Sequence, residues 1–288
     1  MRVLRSYGYG FKEATIRPKM VLVLWIFNFL FGFFVFYIFY KLLAEAMSQS
    51  AVSEGMLTKI DYHFLFEFLT YHGQALGTIR NVALVLIGLY ILVSIFLYGG
   101  ILHSLVETQR TSFLQHFFQG GGKFFGRFLR LTVYSLILWF IFLVVMFILY
   151  RVGSALTGKG TNEQLAFYLF LVGVAIALFF IFFINMIQDY TRFKIVTEDS
   201  RYVFRSLFQS IGFVFKRLGE TLVLYYLLVL TGVVIAVVYW GLRSVIPFSS
   251  FGAIVITFLI YQLFIASHGW LKIAFQAGQL SYYTWEKG

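Results

Sequence analysis

The sequence predicts an all-α, polytopic membrane protein with six transmembrane helices, and three observations carry that expectation. Of the 288 residues 60% are apolar and the mean hydropathy is +0.85, against the roughly 45–50% apolar usage of a soluble domain. Charged residues make up only 12%, while aromatics reach 21% and Phe alone contributes 37. Finally, six runs poor in charge each approach or exceed the ~20 residues that a helix needs to cross a hydrocarbon layer of about 30 Å.

In order, the runs are Met20 to Leu43, Val82 to Leu102, Leu131 to Tyr150, Leu165 to Ile187, Thr221 to Leu242 and Phe251 to Ile273. The first follows a charged stretch and shows no small-residue cleavage site, so it is expected to be a retained span and not a signal peptide. Phe, Val, Ile and Tyr favour strands as well as buried helices, but a membrane barrel needs short segments of alternating polarity. These runs do not alternate, and the two prolines, Pro18 and Pro247, fall at span boundaries where they break no helix. The whole chain, 1–288, is expected to form one integral-membrane domain.

Lys and Arg set the orientation. Six of the 23 (Lys41, Lys59, Arg80, Arg151, Lys159 and Arg243) fall on one side of the spans, and the others on the side carrying both termini. Positive residues accumulate in the cytoplasm, so both ends are expected there. The net charge of +11 points to anionic headgroups before nucleic acid, which is not an expected partner. With no Cys the chain has no disulfide, thiolate metal site or cysteine nucleophile.

Two internal segments show helical periodicity of their own. From Phe113 to Leu129 the apolar positions are Phe113, Leu114, Phe117, Phe118, Phe124, Phe125, Phe128 and Leu129, with Gln115, His116, Gln119, Lys123, Arg127 and Arg130 largely between them. This predicts an amphipathic helix over about 112–130 lying in the headgroup plane, with a break at Gly120, Gly121 and Gly122. A second stripe, Phe204, Leu207, Phe208, Ile211, Val214, Phe215 and Leu218, flanked by Arg201, Arg205, Gln209, Lys216 and Arg217, predicts another over about 201–218. Tyr9, Phe11, Lys12, Arg17 and Lys19 give a shorter version before the first span. The order of interfacial segment and helix pair, repeated near residues 7, 113 and 204, suggests three related hairpin units. Six helices with basic internal loops would show the same order without any repeat.

At the inner end of the fourth span the chain reads Asp189-Tyr190-Thr191-Arg192-Phe193-Lys194-Ile195-Val196-Thr197-Glu198-Asp199-Ser200-Arg201. Together with Gly122, Phe125, Arg127 and Phe128, this segment resembles a group of uncharacterised bacterial six-helix inner-membrane proteins, in which D-Y-x-R and E-D-x-R segments precede a basic amphipathic helix. That resemblance covers about a quarter of the chain and implies no activity. A looser likeness, to membrane domains attached to glycerophosphodiester phosphodiesterases, implies at most a lipid-linked setting, since the 288 residues leave no room for the catalytic domain.

On a helix Asp189 with Arg192, and Glu198 with Arg201, stand three apart and can pair. Two readings stay open: a clamp tying the fourth span to the interfacial helix, or a docking site for a cytoplasmic partner or an anionic lipid. The docking residues would be Asp189, Arg192, Glu198, Asp199, Arg201, Arg205, Lys123 and Arg127.

Elsewhere the chemistry is sparse. Asn28, Ser94, Ser135, Asn185, Gln188, Tyr225, Tyr226, Gln262, Ser267 and His268 are expected mainly as helix-to-helix hydrogen-bonding groups. Asn185, Gln262 and His268, with Gln276 and Gln279 beyond them, are candidates for a polar path. Asp61, His63, Glu67 and His72 match no zincin spacing, and the interleaved aromatics suggest an embedded outer helix instead. Gly120-Gly121-Gly122-Lys123 lacks the earlier Gly and following Ser or Thr of a phosphate loop. Gly99-Gly100 suits close helix approach. The expectation is a non-enzymatic subunit or scaffold of a membrane assembly, without cofactor or metal, that docks protein partners or anionic lipid. The alternative is a transporter or channel for a lipid or other amphiphile.

Overall fold

A computed structural model describes residues 2–47, 73–107, 112–157, 163–246 and 250–287. Among these the protein is all helical: α1 (Arg2–Ile16), α2 (Pro18–Met47), α3 (Gly73–Val106), α4 (Phe113–Thr157), α5 (Glu163–Thr197), α6 (Val203–Lys216), α7 (Leu218–Val245) and α8 (Phe251–Lys287). The six helices α2, α3, α4, α5, α7 and α8 are long and apolar enough to cross a membrane, making this a multi-pass membrane protein. The chain divides into two compact units, Leu22–Ser94 and Met1–Val21 with Ile95–Gly288.

Backbone chemistry sets the joints. Pro18 opens α2, where its missing N–H is an unpaired group in any case and its fixed φ suits the first turn. Ile246, the residue before Pro247, is extended and ends α7. Between α6 and α7 the chain kinks at Arg217, whose N–H donates to the Val214 carbonyl at 3.2 Å.

In the smaller unit Tyr90 packs on Phe27 and Phe31, with ring centroids 5.8 and 5.1 Å apart, and its hydroxyl donates to Asn28 Oδ1 at 3.3 Å. Asn28 is thus a helix-to-helix contact, as its place in an apolar run suggests.

The larger unit has its core at one end of its helices, here termed the core end. Tyr190, Phe193, Phe213 and Tyr283 pack ring on ring there. Away from it the apolar walls are bare: in no span is more than 22% of the most apolar window buried within the chain. Lipid tails solvate such walls as well as another helix does, so close packing is not demanded there.

Three crossings build the core end. The α1 face Ser6, Gly10 and Ala14 meets α8 so closely that a Cβ on Gly10 would stand 2.5 Å from the Ala274 carbonyl oxygen, and one on Gly278 3.2 Å from that of Ser6. Phe11 on Trp270 (5.0 Å), Arg5 over Trp285 (5.0 Å) and Arg2 with Glu286 (2.6 Å) hold the flanks. The start of α4 crosses the end of α3, where a Cβ on Gly99 would meet the Gly120 carbonyl oxygen at 3.0 Å. Gly99-Gly100 permits the close approach expected of it. The third crossing sets α6 on the end of α5, through Phe213 on Tyr190 (5.2 Å) and Phe215 on Phe183 (5.3 Å). Each of the three segments that precede an apolar helix pair therefore packs on the end of a helix closing such a pair.

The structure corrects two expectations. The segment 112–130 is not a separate interfacial helix: α4 runs unbroken for 45 residues from Phe113 through the third span. Gly120–Gly122 is accordingly no break. Gly120 and Gly121 make room for His103 and Phe96 of α3, and that packing offsets the roughly 0.5–1 kcal/mol that each Gly costs in a helix. Beyond their apolar runs α3, α5 and α8 continue to Val106, Thr197 and Lys287, because polar residues end hydropathy without ending a helix.

Candidate functional site

The most concentrated chemistry lies at the core end, where α3, α5 and α8 each contribute a side chain to one cluster. Asp189 is 7% exposed, and its Oδ1 accepts from Arg192 Nη1 at 2.8 Å and from Gln276 Nε2 at 3.4 Å. Arg192 Nη2 donates to Gln188 Oε1 at 3.3 Å, and the guanidinium lies 4.5 Å from the centroid of the Tyr98 ring. The ammonium of Lys272 lies 4.1 Å from the same centroid. The Asp189–Arg192 pair is the one that the three-residue spacing predicts. Tyr98 and Lys272 were missed, although a Lys at the end of an apolar run with Gln276 one turn on is a signal that sequence offers.

The second predicted pair does not form. Asp199 takes a left-handed backbone with φ 48°, and the Ser200 N–H bonds the Ile195 carbonyl at 3.1 Å, closing α5 with a Schellman turn. Helical phase is lost there, so Glu198 pairs with Lys194 at 2.9 Å and not with Arg201. Asp199 instead ties the turn to α4: Arg127 Nη1 reaches it at 2.5 Å and Lys123 Nζ at 3.7 Å, while Lys123 also approaches Glu107 at 3.7 Å. The hydrogen bond from Arg127, with the charges of Arg127, Lys123 and Arg201, holds the Asp199 carboxyl below the usual carboxylate range.

This tie is testable by substitution and by pH. Asp199→Asn keeps a side chain that tolerates the left-handed region and removes the charge. The expected loss is under about 1 kcal/mol, as for an exposed pair. Asp199→Ala should cost ~1 kcal/mol more, from backbone strain. A carboxylate with a depressed folded-state pKa stabilises above its unfolded value, about 4, and that contribution disappears as pH falls through the folded value. Thermal melts of wild type and Asp199→Asn should differ at pH 7 and draw together as the pH falls below about 4.

Helix α6 is split between two faces. Val203, Ser206, Leu207, Ser210 and Val214 are buried, while Phe204, Phe208 and Phe215 are 54–61% exposed. Helical spacing sets Arg205 and Lys216 along one flank of that exposed aromatic row, with Arg201 in the turn just before the helix, and none of the three forms an ion pair with a described residue.

Of the candidate polar path, Asn185 and Gln262 are half-buried, while His268 is exposed with its ring 4.8 Å from Phe264 of its own helix. Gln276 and Gln279 are buried, and Gln276 joins the Asp189 cluster. Asp61, His63, Glu67 and His72 lie outside the described residues. Sequence reasoning also missed the stacking of His103 on His116, 4.4 Å between centroids, because the partners come from separate helices. No protein-family model, curated protein or solved structure matches the chain.

Proposed function

We propose that this chain is a non-enzymatic subunit or scaffold of a larger assembly in a bacterial inner membrane, with its core end and both termini in the cytoplasm. It docks protein partners or anionic lipid through basic helices at that end. The observation that carries this reading is the α6 face, where Phe204, Phe208 and Phe215 stand exposed beside the cations Arg205 and Lys216, with Arg201 just ahead of the helix, none of them in an ion pair with a described residue. An exposed aromatic row with a basic flank matches what an anionic headgroup layer or an acidic partner surface recognises. Lys123 and Arg127 pair with Asp199 and so brace the turn that leads into α6. The bare span walls support the same reading, since they leave room for the helices of other subunits.

Reversing both charges, Arg201→Glu with Arg205→Glu, tests it. After gentle extraction and mass spectrometry, partners held by wild type should fall more than tenfold on the variant, with membrane insertion unchanged. Full retention of the partners would overturn the proposal. The second reading, transport of a lipid or amphiphile, is favoured by the ionisable cluster at Asp189 and Lys272, since charge beside apolar spans commonly marks a pathway.

A further inference from the structure

We infer that Lys272, with Arg192 beside it on the Tyr98 ring, forms an oxyanion site that binds the phosphate of a phospholipid headgroup. The site uses different residues from the α6 face and does not rest on the docking proposal.

Charge is the first argument. The cluster sets one carboxylate, Asp189, against two cations, and the same Asp189 oxygen already accepts from Arg192 and Gln276. One further negative charge neutralises the group.

The second argument is valence. A Lys ammonium carries three donors. That of Lys272 forms no hydrogen bond or ion pair with any described residue; it lies over the Tyr98 ring face and meets the charge of Asp189 only at longer range. Lys272 is half-buried and not sealed wholly within the packed core.

Position is the third. Arg192 and Lys272 sit where the apolar runs of α5 and α8 give way to polar residues, and Tyr98 lies four residues inside the end of the run on α3. A bilayer places its phosphates at that level. A phosphate there would accept from the ammonium and from N–H groups of Arg192 not already donated to Asp189 or Gln188.

The experiment uses the full chain in maltoside micelles, which contain no phosphate. Modification of Lys272 by an amine-reactive reagent is read by mass spectrometry after adding phosphatidylglycerol, inorganic phosphate, or a phosphate-free glycolipid with the same acyl chains. Phosphatidylglycerol should slow labelling about tenfold, and the glycolipid should not. Native mass spectrometry should find one retained phosphatidylglycerol per chain, lost in Lys272→Gln, kept in Lys272→Arg, and kept in the Arg201→Glu, Arg205→Glu variant. Protection by inorganic phosphate alone would make free phosphate the source, with the oxyanion chemistry unchanged. Equal labelling under all additions, equal protection by the glycolipid, or retention of the lipid by Lys272→Gln would overturn the inference. The labelling arm uses wild-type protein, so it decides even where a variant fails to fold.

Discussion

Asp189→Ala should lower the stability of the protein by about 3–5 kcal/mol, the scale seen when one partner of a buried ion pair is removed. It leaves Arg192, whose side chain is 14% exposed, and Lys272 on one tyrosine ring with no counter-charge, and it strips Gln276 of its acceptor. Asp189→Asn retains a hydrogen-bond acceptor without the charge and should fall between wild type and alanine. Removing the pair together, Asp189→Leu with Arg192→Met, should recover much of the loss, because no lone charge is then buried. Thermal unfolding in detergent closes the double-mutant cycle. An alanine variant that melts with wild type would show that the pair contributes nothing to the core end.

Gly10→Leu should detach α1 from α8, at a loss of about 3 kcal/mol. The atoms that a side chain at Gly10 meets are the Ala274 carbonyl oxygen at 2.5 Å and the Gly278 backbone at 3.0 Å, and neither can rotate away. Gly8 is two residues earlier on the same helix with nothing within 4 Å, so Gly8→Ala should gain roughly 0.5–1 kcal/mol from helix propensity alone. The chain has no Cys, so a single cysteine placed at the fully buried Ser6 reports the event directly. It should label quickly in the Gly10→Leu background and slowly in Gly8→Ala. Slow labelling in both would mean that the crossing tolerates bulk.

Apolar runs reveal which segments meet hydrocarbon, and all six were legible for that reason. Their ends were not, since Arg192 or Gln276 lowers hydropathy while remaining an acceptable helix residue. The periodicity of 113–130 was read correctly as helical, but nothing in it tells whether the helix bends into a headgroup plane or runs on. The crossing on α3 decides, through the glycines that looked like a hinge. Asp189 with Arg192 was legible because spacing on one helix fixes both partners. Glu198 with Arg201 failed because one left-handed residue, Asp199, breaks the register between them. Tyr98 with Lys272, and His103 with His116, join residues distant in sequence, and only packing brings them together.

The unbroken course of α4 gives the protein a mechanical property. A 45-residue helix is about 67 Å long, more than twice the thickness of a hydrocarbon layer, and it is gripped at Gly120 and Gly121, near its beginning. Beyond the grip it is braced again, by Tyr134 on Phe204 of α6 at 5.7 Å and Phe142 on Phe180 of α5 at 6.3 Å. Over that length a tilt of ~10° at the grip corresponds to roughly 10 Å at the far end, so small differences in glycine packing decide where the far end of α4 stands.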